Sequence, residues 1–185
     1  MGKVIAGMTI SLDGYVNDAS GSASPLYSDL AALQGTDFMN DVVEQTGAVL
    51  MGRKTFQMGE PDSFVGNYEF QVPIFVVTHR PPEVMPKQDE NLTFTFVGDG
   101  VESAVAQAKA AAGGKDVQAV GGVDLIRQLL AARLVDEIHL DVMPVLLGAG
   151  QRLFGDELVD IGLEKIGVRE HGQRTSLKFR VKGEA

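Results

Sequence analysis

Short apolar runs alternate along the chain with polar, glycine-rich breaks, and the spacing of apolar positions changes from run to run. Residues 3–10 are apolar and β-branched and end at Ser11-Leu12-Asp13-Gly14, which predicts a first strand opening into a loop. The loop runs to about Ser28 and is rich in glycine and serine (Gly14, Ser20, Gly21, Ser22, Ser24); loops of that length in compact domains are more often functional than idle. Between 29 and 45, Leu30, Leu33, Met39, Val42 and Val43 recur at helical spacing, with Gly35 dividing the segment. Runs at 47–51, 73–78, 92–97 and 117–120 read as further strands. Segments 101–112 and 123–132 read as helices, the first closed by Gly113-Gly114. Strand, helix, strand in this order predicts parallel units with right-handed crossovers. From 136 to 147 a long strand is expected, with His139, Asp141 and Met143 alternating against Ile138, Leu140 and Val142, and with Pro144 marking a bulge or an edge. Residues 163–169 and 175–181 then flank 170–174 as an antiparallel hairpin. The expected architecture is α/β: a mixed, mostly parallel central sheet with helices on both faces and a C-terminal antiparallel hairpin.

Composition narrows the chemistry. With 185 residues the chain is long enough to bury a core without staples, and one domain over 1–185 is expected. There is no cysteine, and His79, His139 and His171 lie at no ligand spacing, which argues against a zinc site. The apolar run after Met1 is short and interrupted by Asp13, unlike a signal sequence or a membrane span, so a cytoplasmic protein without a membrane partner is expected. Acidic residues outnumber basic ones 25 to 16, for a net charge of −9, and such a surface repels a phosphodiester backbone, so nucleic acid is not an expected partner.

Against that acidic background, the cations at strand ends stand out. Ligands of open α/β sheets bind beyond the carboxyl ends of the strands, where helices present their N-termini. After the second strand stands Met51-Gly52-Arg53-Lys54-Thr55-Phe56, where glycine lets a phosphate approach and two cations and a hydroxyl supply charge-assisted donors. After the third stands Thr78-His79-Arg80. After the fifth stands Gly121-Gly122-Val123, where missing side chains let a pyrophosphate reach a helix N-terminus. The glycine spacing is not the dinucleotide fingerprint, and no acidic residue follows at the distance that reads a ribose 2′-hydroxyl. Cations in its place favour a 2′-phosphate, hence NADP. No phosphate-binding loop of the Gly-x-x-x-x-Gly-Lys-Ser/Thr type is present, which disfavours a kinase or transferase.

Met51-Gly52-Arg53-Lys54-Thr55, the Gly121-Gly122 turn and the order of elements resemble dihydrofolate reductase. Ser11-Leu12-Asp13-Gly14-Tyr15-Val16, Asp136-Glu137-Ile138-His139-Leu140, and the run from Pro144-Val145-Leu146-Leu147-Gly148-Ala149-Gly150 to Leu153-Phe154 are closer to the reductase domain of the bifunctional riboflavin-biosynthesis deaminase-reductase. The resemblance covers nearly the whole chain. It implies a dihydrofolate-reductase-like fold, NADPH as hydride donor, a small heterocyclic substrate and a homodimer. The implied activity is that of a 5-amino-6-(5-phosphoribosylamino)uracil reductase acting on a pyrimidine- or pterin-like ring. Dihydrofolate reductase-type activity and a non-catalytic NADP-binding module are the alternatives. By the same likeness Gly52, Arg53, Lys54 and Thr55 hold cofactor phosphates, Thr78 and Arg80 the adenosine end, and Gly121, Gly122 and Val123 the pyrophosphate. Residues 12–15 lie over the nicotinamide. The deaminase's His-x-Glu and Pro-Cys-x-x-Cys zinc site is absent, so only the reductase half is implied. Two carboxylates are candidate catalytic groups. Asp13 is either a turn former or a group that orients substrate or delivers a proton; Asp37, near the place of the pterin-contacting acid of dihydrofolate reductases, is either that acid or a solvated helix carboxylate. His139 reads as structural.

Overall fold

The computed structural model describes residues 2–156, 158 and 160–183. Met1 and Ala185, the ends of the expected domain range, lie outside the described residues. The strands are β1 (Val4–Ser11), β2 (Thr46–Gly52), β3 (Ile74–Val77), β4 (Phe94–Val97), β5 (Asp116–Ala119), β6 (Glu137–Met143), β7 (Leu163–His171) and β8 (Arg174–Val181). The helices are α1 (Leu30–Leu33), α2 (Asp37–Gln45), α3 (Arg53–Phe56), α4 (Val101–Ala111) and α5 (Val123–Ala131). All eight strands form one sheet in the order β4-β3-β2-β5-β1-β6-β8-β7. The first six pair in parallel and β8 runs antiparallel to both β6 and β7. This is the mixed, mostly parallel sheet with a C-terminal antiparallel hairpin that the patterning predicts.

Alternation along the central strands divides the sheet into two unlike faces. Val4, Ala6, Val117, Ala119, Ile138 and Leu140 point to the face covered by α4 and α5, whose Ala104, Val105, Ala108, Ile126 and Leu129 complete one apolar core. Val49, Met51, Ile74 and Val76 point the other way, into a second core with Phe56, Phe64, Phe70 and Phe94. Apolar residues of the parallel strands thus serve one core or the other, as expected when both faces of a parallel sheet are covered.

As the sequence predicts, Gly35 divides the helical segment 29–45: it takes φ +72°, and Thr36 caps α2 through its hydroxyl, which accepts from the Met39 amide. Other boundaries differ from the sequence expectation for local reasons. β6 stops at Met143 rather than Leu147, since Pro144 has no N–H to continue the ladder. The closing turn shortens to Gly172-Gln173, with Gly172 at φ +58°, and Arg174 becomes the first residue of β8.

Candidate functional site

The carboxyl ends of β1, β2 and β5 open onto a cleft of about 520 Å³. Gly52, Arg53, Lys54 and Thr55 form one wall and Gly121, Gly122 and Val123 the floor at the start of α5. The two glycine segments pack directly on each other: the Gly52 amide donates to the Gly121 carbonyl at 2.7 Å, and a side chain on Gly52 would press within 3.3 Å of the Gly122 nitrogen. Gly121 takes φ +119°, a conformation that favours glycine. Gly122 is extended, so its bareness is a matter of space: a Cβ there would meet only the Thr55 hydroxyl, at 3.5 Å. No side chain caps α5, and its first intrahelical bond runs from the Ile126 amide to the Gly122 carbonyl. The amides of Val123, Asp124 and Leu125 therefore have no intrahelical acceptor and face the cleft at the positive end of the helix dipole.

Arg53 also borders a second hollow of about 240 Å³ lined by Thr78, Arg80, Pro81, Phe96 and their neighbours. The cleft and this hollow thus form one groove across the sheet ends. The Thr78 hydroxyl closes its own turn, accepting from the Arg80 amide at 3.0 Å. All nine residues assigned to cofactor binding from the sequence line this groove.

The two candidate carboxylates line neither hollow. Asp13 accepts hydrogen bonds from the Ser11 hydroxyl (2.6 Å) and from the amides of Leu147 (3.1 Å) and Gly148 (2.7 Å). Those bonds, the serine's foremost, pull its pKa down to about 2, so it is ionised at neutral pH and has no proton to give. Asp37 stands exposed in the first turn of α2, where a carboxylate complements the helix dipole. Residues 12–15, expected over the nicotinamide, line neither hollow and are pinned to the segment after β6. The Leu12 amide bonds to the Val145 carbonyl, Tyr15 bridges Arg152, and the Leu153 amide bonds to the Gly14 carbonyl. The wall of the cleft is built by the following residues, Val16, Asn17, Gly21 and Ala23.

Behind the cleft lies a further cavity of about 270 Å³ that sequence reasoning missed. It shares Met8, Tyr27, Thr55 and Val120 with the cleft. Its floor is the polar face of four adjacent strands. Gly7, His139 and Lys178 stand level in one row across β1, β6 and β8, and Thr9, Asp141 and Ser176 in the next. Gln118 on β5 is level with Ile5, one pleat further along. The roof is apolar and aromatic, from Tyr27, Phe38, Met39, Val42, Tyr68 and Phe70. Desolvation in the cavity raises the pKa of both tyrosines and, on the wall, of Glu69, although Tyr27 and Glu69 each keep part of their surface in solvent. Burial lowers that of His139, so the ring, bonded to Glu137 at 3.0 Å, tends to neutrality.

Arg174 holds this floor to its roof. The residue is 2% exposed. It donates twice to Asp29 (3.0 and 2.7 Å), to Thr9 Oγ1 (2.9 Å), to Asp141 (3.0 Å) and to the Leu26 carbonyl (3.1 Å). Every N–H of the guanidinium is thereby used. The Leu26 bond fixes the turn of residues 24–26 and with it Tyr27, which lines both hollows.

Among the described residues no cluster of acidic or histidine side chains could hold a metal ion, and no helix is long and apolar enough to cross a membrane. The chain is similar to the uncharacterized protein YwjB of Bacillus subtilis (strain 168), 27% identical over 96% of this chain and 97% of that one. Its fold is similar to that of a putative riboflavin biosynthesis protein from Shewanella sp. PV-4, with a TM-score of 0.79 at 24% identity over 98% of this chain and 99% of that one. It is also similar in fold to a diaminohydroxyphosphoribosylaminopyrimidine deaminase/5-amino-6-(5-phosphoribosylamino)uracil reductase from Thermotoga maritima. There the TM-score is 0.74 at 14% identity, over 98% of this chain and 57% of that one. The sequence profile of the RibD C-terminal domain matches residues 2–177, and the chain belongs to that family.

Proposed function

We propose that the protein is an NADPH-dependent reductase of a pyrimidine- or pterin-like substrate, with 5-amino-6-(5-phosphoribosylamino)uracil, named for the Thermotoga relative, as the first substrate to try. The observation that carries the reading is the meeting of two hollows of different character. A long groove edged by cations and bare helix amides joins a compact cavity with an aromatic roof, and they meet at Met8, Tyr27, Thr55 and Val120. The donor set suits a dinucleotide. Val123, Asp124 and Leu125 amides and the Thr55 hydroxyl face the place of a pyrophosphate, and Arg53, between the two parts of the groove, suits a ribose 2′-phosphate.

The bound cofactor supplies the hydride. The chain's own part is to bind, orient and exclude water. The aromatic roof and the polar floor hold a flat ring edge-on to the junction, and Met8, Tyr27 and Val120 keep that junction apolar. Hydride transfer to the substrate also consumes a proton. Glu69, on the cavity wall, has its pKa raised above the ordinary glutamate value and so keeps a proton to higher pH than Asp13, which lines neither hollow; it is the carboxyl we assign as donor.

The test is cofactor discrimination. Arg53→Ala should weaken NADPH binding roughly tenfold to a hundredfold, about 1.5–3 kcal/mol for a charge-assisted contact, and leave NADH binding nearly unchanged. Equal losses for both cofactors, measured by fluorescence titration, would remove Arg53 from the 2′-phosphate. Consumption of NADPH with the pyrimidine, followed at the nicotinamide absorbance band, tests turnover.

A further inference from the structure

We infer that Gln118 reads the substrate, its side-chain oxygen accepting a hydrogen bond from a ring N–H of a flat, amide-like heterocycle seated over Gly7. The inference rests on the reading that the inner cavity receives the heterocyclic ring of the substrate, and it adds the residue and the functional group by which that ring is recognised.

Gln118 is 6% exposed, and its Oε1 is buried with no hydrogen-bond partner. Strand alternation explains how a glutamine comes to be there. Val117 and Ala119 face the apolar core, so Gln118 and Val120 must face the cavity. Of the floor's other polar groups, Thr9 Oγ1 and Asp141 are engaged by Arg174, Ser176 by Asp141 and His139 by Glu137, and Lys178 is a donor only. Gln118 Oε1 is the acceptor the floor leaves open, and a buried acceptor without a donor is retained at a cost to stability unless something else uses it.

The space beside it suits a ring. A side chain on Gly7 would stand 3.8 Å from Gln118 Oε1 and would meet nothing else within contact distance. Gly7 does not have a positive φ, so glycine is not demanded there by the backbone. Its bareness leaves a seat next to the open acceptor, beneath Phe38 and Tyr68. An amide oxygen only accepts, so the complementary group is a donor, and ring N–H groups flanked by carbonyls are the donors such heterocycles carry.

The probes are 5,6-diaminouracil and its 1,3-dimethyl derivative, which differ in the ring N–H groups. Calorimetric titration is run with and without NADP⁺, whose own binding is measured first. Loss of NADP⁺ binding would strike the proposed cofactor groove alone and leave the pyrimidine comparison standing. The wild type should prefer 5,6-diaminouracil at least tenfold, about 1.4 kcal/mol. Gln118→Met, similar in shape but without the acceptor, should reduce that preference to within about twofold while its melting temperature stays level or rises. Gly7→Ala should fold normally and bind both probes more weakly. The inference is overturned if the wild type binds neither probe or does not discriminate between them, or if Gln118→Met keeps the preference. It is equally overturned if Gln118→Met melts several degrees lower, or if Gly7→Ala binds as the wild type does.

Discussion

Replacing Arg174 by methionine removes a buried cation that five hydrogen bonds tie to Asp29, Asp141, Thr9 and Leu26. Breaking a buried ion pair from one side costs about 3–5 kcal/mol, because the partner charge is left uncompensated. Here the carboxylate side chains of Asp29 and Asp141 keep 23% and 25% of their exposure and can recover some hydration. The lower end, about 3 kcal/mol, is therefore expected. For a chain of this length that corresponds to a fall of roughly 6–12 °C in melting temperature, to be read by differential scanning calorimetry. The pH dependence supplies an independent check. The Arg174 guanidinium holds the Asp29 carboxyl below its ordinary range, so the stabilisation is fully present above the unfolded value of about 4 and is lost as pH falls through the folded one. The gap between wild type and Arg174→Met should narrow as the medium is acidified below about pH 4. A fall of less than about 3 °C at neutral pH, or a gap that does not change on acidification, would refute the argument that this ion pair locks floor to roof.

The glycine pair separates backbone strain from ligand space. Gly121→Ala, at φ +119° and with its Cβ 3.2 Å from Met8 Cε, should lower stability by about 1 kcal/mol or more, whereas Gly122→Ala should keep the melting temperature and lose NADPH affinity in a fluorescence titration. Asp13→Asn should loosen the segment it clasps, seen as faster hydrogen exchange at the Leu147 and Gly148 amides. In the wild type the same loosening should set in only as pH falls toward about 2, since the folded pKa is depressed. Once a substrate is in hand, the wild-type rate should decline as pH rises through the raised pKa of Glu69, and Glu69→Gln should be slower and lack that limb. A Glu69→Gln profile identical to the wild type's would mean that the proton comes from elsewhere.

Much of this architecture is legible along the chain because it is local. The apolar runs of β1, β2 and β5, the Gly35 break and the Pro144 stop each act within a few residues of where they are read. The same holds for the groove: Gly52 to Thr55 and Gly121 to Val123 lie at strand ends, and strand order alone brings them together. The inner cavity is different. Its floor depends on register between strands far apart in sequence, Gly7 with His139 and His139 with Lys178, which no local pattern encodes. The alternation of His139 and Asp141 is visible, yet it reads as ordinary strand patterning. Arg174 reads as part of a polar turn, because its burial is decided by Asp29 and Asp141, 145 and 33 residues away. The serine- and glycine-rich opening loop reads only as a long functional loop, because its anchors lie in the segment after β6, more than a hundred residues on.

The order in which the chain supplies these parts separates the two hollows in time as well as in space. As the protein is synthesised, the cleft-lining residues at 52–55 and 121–123 emerge well before the last hairpin. The cavity floor is finished only when β8 brings Ser176 and Lys178 alongside β6, and Arg174 ties that strand back to Thr9 and Asp29 near the beginning. A nascent chain can therefore contain every residue of the cleft before the floor of the inner cavity exists, and the inner cavity is a property of the completed chain.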